Sequence, residues 1–439
     1  MKMTHTQATN KYRQILGISN YMLALTVAFT AAFPSKVFNI AWTLWLITWA
    51  LEGRFLSKRN FAFDKSKYPV LLLGFFLLWE ALSLLWANDI NAGISVLERQ
   101  FSFIAIVPIA LFGINKYYKT KSILISLIIG TLVSLIAYYM SILYVSNHEY
   151  FVSGGKKEMW KGFSINQFES SISLIKHRLY YCTSLIIALF SVFFLQKDGR
   201  ERYGSALTFI ISTVVCALFI GMIMISGSRS SVLVLAILLS VNILNIFQLK
   251  YKIIITTVII VLFGIAALLL LKFHPRMSNF SLQDMYILET GKTDKQFEII
   301  EPRLFIWHEA YINIDEYWGI GKGVGNSTSF LIEKYKEQNY PDSFLEKKFS
   351  PHNQYLSAFI DLGILGFIFL IAYFLSFHRV FKGRARKFAI NLSLLIGFNL
   401  LTEGMLGRSD GIITMCFFTL LCIWMQSEQE NKSLTIKEK

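Results

Sequence analysis

Long apolar runs alternate with short polar connections along almost the whole 439-residue chain. A helix needs about 17 to 25 residues to cross roughly 30 Å of hydrocarbon. Runs near that length fall at 15–33, 37–51, 68–86, 102–114, 121–145, 179–195, 205–226, 230–249, 252–272, 354–377, 388–402 and 411–425. The pattern predicts an all-α polytopic membrane protein with about 12 transmembrane helices. The second, fourth, eleventh and twelfth runs are short and need tilt or a few polar residues at their ends. The first run reads as a retained span and not a cleaved signal, because a second follows almost at once and the alternation of sides requires it. Two connections break the rhythm, one at 146–178 and one at 273–352, the latter 80 residues long. Loops of that size usually carry function or fold on their own. The expected organisation is therefore nine spans over 1–272, a large loop with short helices and active-site elements over 273–352, and three spans with a tail over 353–439.

Charge assigns the sides. The chain is 54% hydrophobic and 16% charged, with a net charge of +15, against about 45–50% and about 25% for soluble domains. With the amino terminus inside, the inner segments hold 24 basic and seven acidic residues, while the rest of the chain holds 19 and 21. That asymmetry is the positive-inside pattern, with both termini cytoplasmic. The basic balance is thus a topology signal, and a nucleic-acid partner is excluded as its explanation; membrane lipids are the expected surroundings. All four cysteines (Cys182, Cys216, Cys416, Cys422) fall inside spans, which leaves no exported disulfide framework and no zinc spacing.

Charged and titratable residues left on the outer side are the candidates for chemistry, since charge beside an apolar span is costly. Arg229 sits in the reversal Ile225–Ser231, among hydroxyls and beside Gly227, suited to a bidentate grip on phosphate. Arg303 follows Pro302 at the start of an amphipathic helix, where free N–H groups and the dipole favour an anion. His352, in Ser350-Pro351-His352-Asn353, stands where loop meets membrane and is placed to act as a general base. His177 and Arg178 repeat the theme before the sixth span. Gly321, Gly323 and Gly325 form a run that is either a plain turn or an element that wraps a lipid-linked phosphate or sugar. Glu80 and Asp361 lie within spans, with a structural partner expected for Glu80. Asp361 stands nine residues beyond His352, about 13.5 Å along a regular helix, and cannot touch it. Glu403, Arg408 and Asp410 share an outer turn with no role assigned. No period of 20 to 50 residues repeats, which lowers a transporter reading.

The order of these motifs resembles the O-antigen ligase and polymerase superfamily of bacterial envelope proteins. The matching residues are Ser228-Arg229, then Arg303, Trp307 and Ala310, then Gly321, Gly323 and Gly325, then His352 to Leu356, and finally Leu362, Gly363 and Gly366. The resemblance covers about 205–370; the first 145 residues match only in hydropathy. It implies a C-type glycosyltransferase membrane fold and transfer of a glycan from undecaprenyl diphosphate to a hydroxyl on the periplasmic side of the inner membrane. In that reading Arg229 and Arg303 hold the diphosphate and His352 activates the acceptor. His177, Arg178, the three glycines and Asn353 extend the substrate surface, and no cofactor or metal is involved. The acceptor is the sugar core of lipid A for a ligase, or a second lipid-linked repeat unit for a polymerase. A transporter of lipid-linked glycan, binding through the same arginines, is the third reading.

Overall fold

A computed structural model describes residues 5–152, 176–244, 302–338, 340, 345–346 and 349–437. They form helices joined by short turns, with no strand among the described residues. The first six are α1 (His5–Thr30), α2 (Ser35–Glu52), α3 (Tyr68–Ser83), α4 (Ile90–Gln100), α5 (Ser102–Phe112) and α6 (Thr120–Val152). Then come α7 (Arg178–Tyr203), α8 (Ser205–Ile225), α9 (Arg229–Leu244), α10 (Pro302–Ile312) and α11 (Ser327–Glu337). The last three are α12 (Gln354–Val380), α13 (Gly383–Thr402) and α14 (Ser409–Lys437). The expected ninth span, 252–272, lies outside the described residues, as do 153–175 of the first long loop and 273–301 of the second.

Seven helical segments among the described residues are long and apolar enough to cross a membrane, and Arg229–Asn242 is a shorter apolar helix. The chain is a multi-pass membrane protein. The twelve expected spans thin out for a physical reason. The runs at 15–33, 37–51 and 388–402 do form helices (α1, α2 and α13), but polar groups that bond inside the bundle dilute their hydropathy. Asn20 donates to the Trp45 carbonyl at 3.0 Å, and Asn399 donates to Thr183 Oγ1 at 2.8 Å. The run at 102–114 joins α4 across a break at Phe101, giving one segment, Ile90–Phe112.

The short run at 411–425 expands to Ser409–Ser433, and the most apolar 18-residue stretch of it is 94% buried. Protein rather than lipid surrounds α14, so buried Thr414, Thr419 and Gln426 are tolerated there, each with a hydrogen-bond partner.

Antiparallel helices give the bundle two ends. At one, Lys121 and Arg384 meet Asp198 at 3.1 and 3.3 Å, Thr120 bonds Glu428, and Arg54 approaches Glu52 at 3.6 Å. These are described segments that the charge pattern groups as inner. The other end carries the starts of α7, α9 and α12 and the close of α13, and α10 and α11 form a small second core there around Phe305, Tyr317, Phe330 and Tyr335.

The second core is locked to the bundle by a break in α12. Gly363 adopts φ 65°, ψ −159° in mid-helix, and a Cβ on it would stand 1.9 Å from the Gly319 carbonyl oxygen. Backbone freed by the break bonds segment 318–323: Ile364 N donates to Trp318 O at 2.9 Å, Lys322 N to Ile360 O at 2.8 Å and Gly323 N to Asp361 O at 2.8 Å. Trp79 Nε1 donates to Leu362 O at 3.0 Å, tying α3 to the same break.

Candidate functional site

A cavity of about 630 Å³ opens at the end of the bundle away from the Lys121–Asp198 cluster. Its lining brings together His177, Arg178, Arg229, Arg303 and His352, five residues separated by up to 175 positions in sequence. Gly227, Ser228, Ser230, Pro302, Thr402 and Glu403 complete its polar surface. Among the described lining residues, three guanidinium groups face one carboxylate, so this part of the lining is cationic with the imidazoles neutral.

Each arginine stands at a helix amino end. Arg178 opens α7, Arg229 opens α9, and Arg303 follows Pro302 as the second residue of α10. Such an end carries roughly half a positive charge, and a cation there costs about 0.3–1 kcal/mol where an anion would gain as much. Placing three like charges on three like dipole ends opposes the stability of the empty protein. The same arrangement suits an anion held by side-chain forks and backbone N–H groups together.

Local chemistry explains each placement. At Arg229, Gly227 turns the chain with φ 64°. Ser226 Oγ bonds the Ile223 carbonyl at 2.7 Å and lies 3.1 Å from Cys182 Sγ, fixing the turn to α7. Ser228 Oγ and Ser231 Oγ pair at 2.7 Å across the first turn of α9.

His352 is the one non-glycine among the described residues with positive φ, 47°. That conformation costs about 1–2 kcal/mol for an L-residue, and both flanks hold it. Trp307 Nε1 donates to the Pro351 carbonyl at 3.0 Å, and Asn353 caps α12, its Oδ1 accepting from Leu356 N at 3.1 Å. Arg303 and Trp307 are one turn apart on α10, so a single helix presents a cavity arginine and the donor that steadies the cavity histidine.

The wall carrying His177 and Arg178 hangs on a residue the sequence reading did not single out. Lys176, 3% exposed, donates to the Ala31 carbonyl at 2.7 Å and meets Asp410 Oδ1 at 3.1 Å over the Phe38 ring. Asp410 also accepts from Ser35 Oγ. Four segments therefore converge on one buried ion pair. Burial pulls the Lys176 ammonium below its ordinary pKa, with the Asp410 charge opposing. Burial likewise lowers His177, against the pull of Glu403, so this imidazole is neutral near pH 7. Its buried Nδ1 has no hydrogen-bond partner among the described residues. Glu403 lies 3.7 Å from Arg408 and faces the cavity; its only sequence signal was a carboxylate beside an arginine at a span boundary.

The remaining sequence candidates lie elsewhere. A Cβ on Gly321, Gly323 or Gly325 would meet Asp361 O at 2.4 Å, Ala87 Cα at 2.5 Å or the Ala92 backbone at 2.9 Å. Chain packs against chain at these glycines, and none of them lines the cavity. Asn353 caps its helix and is likewise outside the lining. Asp361 clamps the start of α11, accepting from Ser327 N and, at 3.3 Å, from Ser327 Oγ. Gln100 Nε2 donates to Glu80 at 3.1 Å, joining α4 to α3.

Fold and site together define a multi-pass membrane protein with a cationic, histidine-bearing cavity at one end. Residues 214–371, about a third of the chain, match the family model described as O-Antigen ligase, which supports a relation to the O-antigen ligase superfamily. Arg229, Arg303 and His352 lie within the matched region, whereas His177, Arg178 and Glu403 fall outside it. An uncharacterized protein of Haemophilus influenzae is 23% identical over 317 residues, covering 72% of each chain.

Proposed function

We propose that the protein is a ligase-type glycosyltransferase of the bacterial inner membrane. It moves a glycan from undecaprenyl diphosphate to an acceptor hydroxyl, a sugar of the lipid A core, on the periplasmic face. The observation that carries this reading is the convergence of three helix-end arginines with His352 in one cavity. The O-Antigen ligase match over 214–371, a family of glycosyltransferase-like enzymes, supports it.

Arg178, Arg229 and Arg303 hold the diphosphate. The acceptor oxygen attacks the anomeric carbon, the bond from that carbon to the diphosphate oxygen breaks, and the acceptor proton passes to the His352 imidazole. Charge gathering on the departing diphosphate meets guanidinium groups and N–H dipoles already in place, so little reorganisation is needed at the moment of transfer. A cavity of about 630 Å³ is in the range of small-molecule sites, roughly 300–1,000 Å³. It takes a diphosphate and the first sugars, with the rest of the glycan and the lipid outside.

Deleting the gene and resolving envelope polysaccharide on a gel tests the reading. A ligase leaves full-length glycan unattached to lipid A, and restoring the wild-type gene but not Arg303→Ala or His352→Asn returns the attached ladder. Single-repeat product in the deletion strain makes the protein a polymerase instead. Normal attached ladders from both variants, expressed at wild-type level, overturn the assignment of these residues.

A further inference from the structure

A larger cavity, about 1090 Å³, opens at the opposite end of the bundle. Nothing in the glycosyl-transfer reading uses it. It is walled by the start of α1 (Arg13), the end of α2 and its following turn (Glu52, Arg54), the turn before α3 (Lys67), the α5–α6 connection (Lys116) and the last turns of α14 (Glu428, Lys432). Five cations face two carboxylates. Arg54, Lys67 and Lys432 each meet an acidic group, Glu52 at 3.6 Å, Asp64 at 3.1 Å and Glu428 at 2.8 Å. Arg13 and Lys116 meet none among the described residues, and Lys116 lies 5.6 Å from the Tyr117 ring centroid. The surplus charge of the cavity rests on these two.

The floor beneath them is built. Buried Asn115 donates to the Gly17 carbonyl at 3.0 Å and to Glu52 at 3.1 Å. Tyr118 OH accepts from Trp45 Nε1 and donates to Asn20 Oδ1, both at 2.6 Å. Two helices, α1 and α2, and the α5–α6 loop are thus fixed to one another beneath the opening, and this floor does not depend on exposed side chains for its shape. The composition of the cavity, a surplus of cations over a rigid polar floor with Tyr117 and Trp424 in the wall, fits an anion that carries an organic group. It does not fit an apolar ligand.

We infer that this cavity is a second anion site, which binds the phosphate of a glycerophosphate-type group through Arg13 and Lys116. The group is either the headgroup of an anionic phospholipid in the leaflet that borders this end or a soluble phosphorylated compound. Both present the same phosphate ester, and a charged surface of this kind attracts both.

Native mass spectrometry of the purified full-length protein, in micelles carrying trace phosphatidylglycerol and phosphatidylcholine, reads the first source. A thermal melt with glycerol 3-phosphate reads the second. Wild type is expected to retain phosphatidylglycerol over phosphatidylcholine or to be stabilised by glycerol 3-phosphate. The double variant Arg13→Ala/Lys116→Ala is expected to lose that binding by about tenfold or more. Both side chains are exposed, so the variant keeps its fold, checked by an unchanged melting temperature without ligand. Retention of the lipid alone identifies a headgroup site, and stabilisation by the soluble ester identifies a solute site. Equal retention of both lipids with no effect of glycerol 3-phosphate overturns the inference, as does wild-type binding by the double variant. The readout is binding at a separate site, so it is independent of whether the first cavity transfers sugars.

Discussion

Trp307→Phe isolates the support of His352 from the histidine itself. The substitution keeps an aromatic ring on α10 and removes one N–H, the donor that reaches the Pro351 carbonyl at 3.0 Å. A net hydrogen bond contributes about 0.5–1.5 kcal/mol, and a buried carbonyl left without a donor costs about 1–3 kcal/mol. Against this stands about 1–2 kcal/mol of backbone strain at His352, which the flanking contacts must hold down. Removing one of two clamps therefore lets the segment relax by an amount comparable to the strain. A shift of 1–2 kcal/mol, roughly a 5- to 30-fold change in population, is expected in the fraction of molecules with the imidazole aimed into the cavity. Transfer from a lipid-linked donor to an acceptor in purified membranes should fall by about that factor, with KM for the donor little changed because the arginines stay in place. His352→Asn, whose side chain tolerates positive φ, should keep the fold and lose about 100-fold or more of the rate if the imidazole is the base. A Trp307→Phe enzyme that transfers at the wild-type rate refutes the positioning argument. So does one whose loss lies entirely in donor KM.

Three other perturbations probe the frame. Asp410→Asn alone leaves Lys176 buried opposite a neutral group and should destabilise by about 3–5 kcal/mol, whereas Lys176→Met combined with Asp410→Asn should cost clearly less than the two single changes added together; melts of the three variants decide it, and simple additivity counts against the pair. Gly363→Ala places a methyl where the Gly319 carbonyl stands 1.9 Å away, in backbone nearly restricted to glycine, and should abolish a monodisperse peak on size exclusion, while Gly407→Ala, with open space around it, should leave the peak intact. Burial depresses the folded-state pKa of His177 below the ordinary 6.5, so the unfolded chain takes up its proton first as the pH falls; stability should drop below about pH 6.5 and level off beneath the folded pKa. His177→Gln should flatten that limb, measured as melting temperature across pH 5 to 7.5.

Spans that face lipid were plain in the sequence because hydropathy reports that environment directly. The α14 boundaries were not, since a helix enclosed by protein carries buried Asp410 and Gln426 and bonds them internally. The cavity arginines were legible one at a time, as charge too close to apolar runs. Their convergence was not, because it depends on three helix starts meeting in space. The pairing of Lys176 with Asp410 was silent for the same reason. An ion pair 234 positions apart leaves no local pattern, and a lysine at a loop end reads as an ordinary basic residue. The glycine run and the Leu362–Gly366 motif were visible as two signals. The structure joins them into one, the broken α12 accepting the 318–323 backbone.

The enclosure of α14 also bears on the order of assembly. Ribosomes deliver Ser409–Ser433 after every other described helix, yet this segment is the most deeply buried of the seven. Earlier helices must therefore wait in the membrane around a vacant axis until it arrives. Its first turn brings Asp410, without which Lys176 has no counter-ion and the His177–Arg178 wall has no anchor. A chain stalled before that point has its arginines but lacks the ion pair that anchors the His177–Arg178 wall.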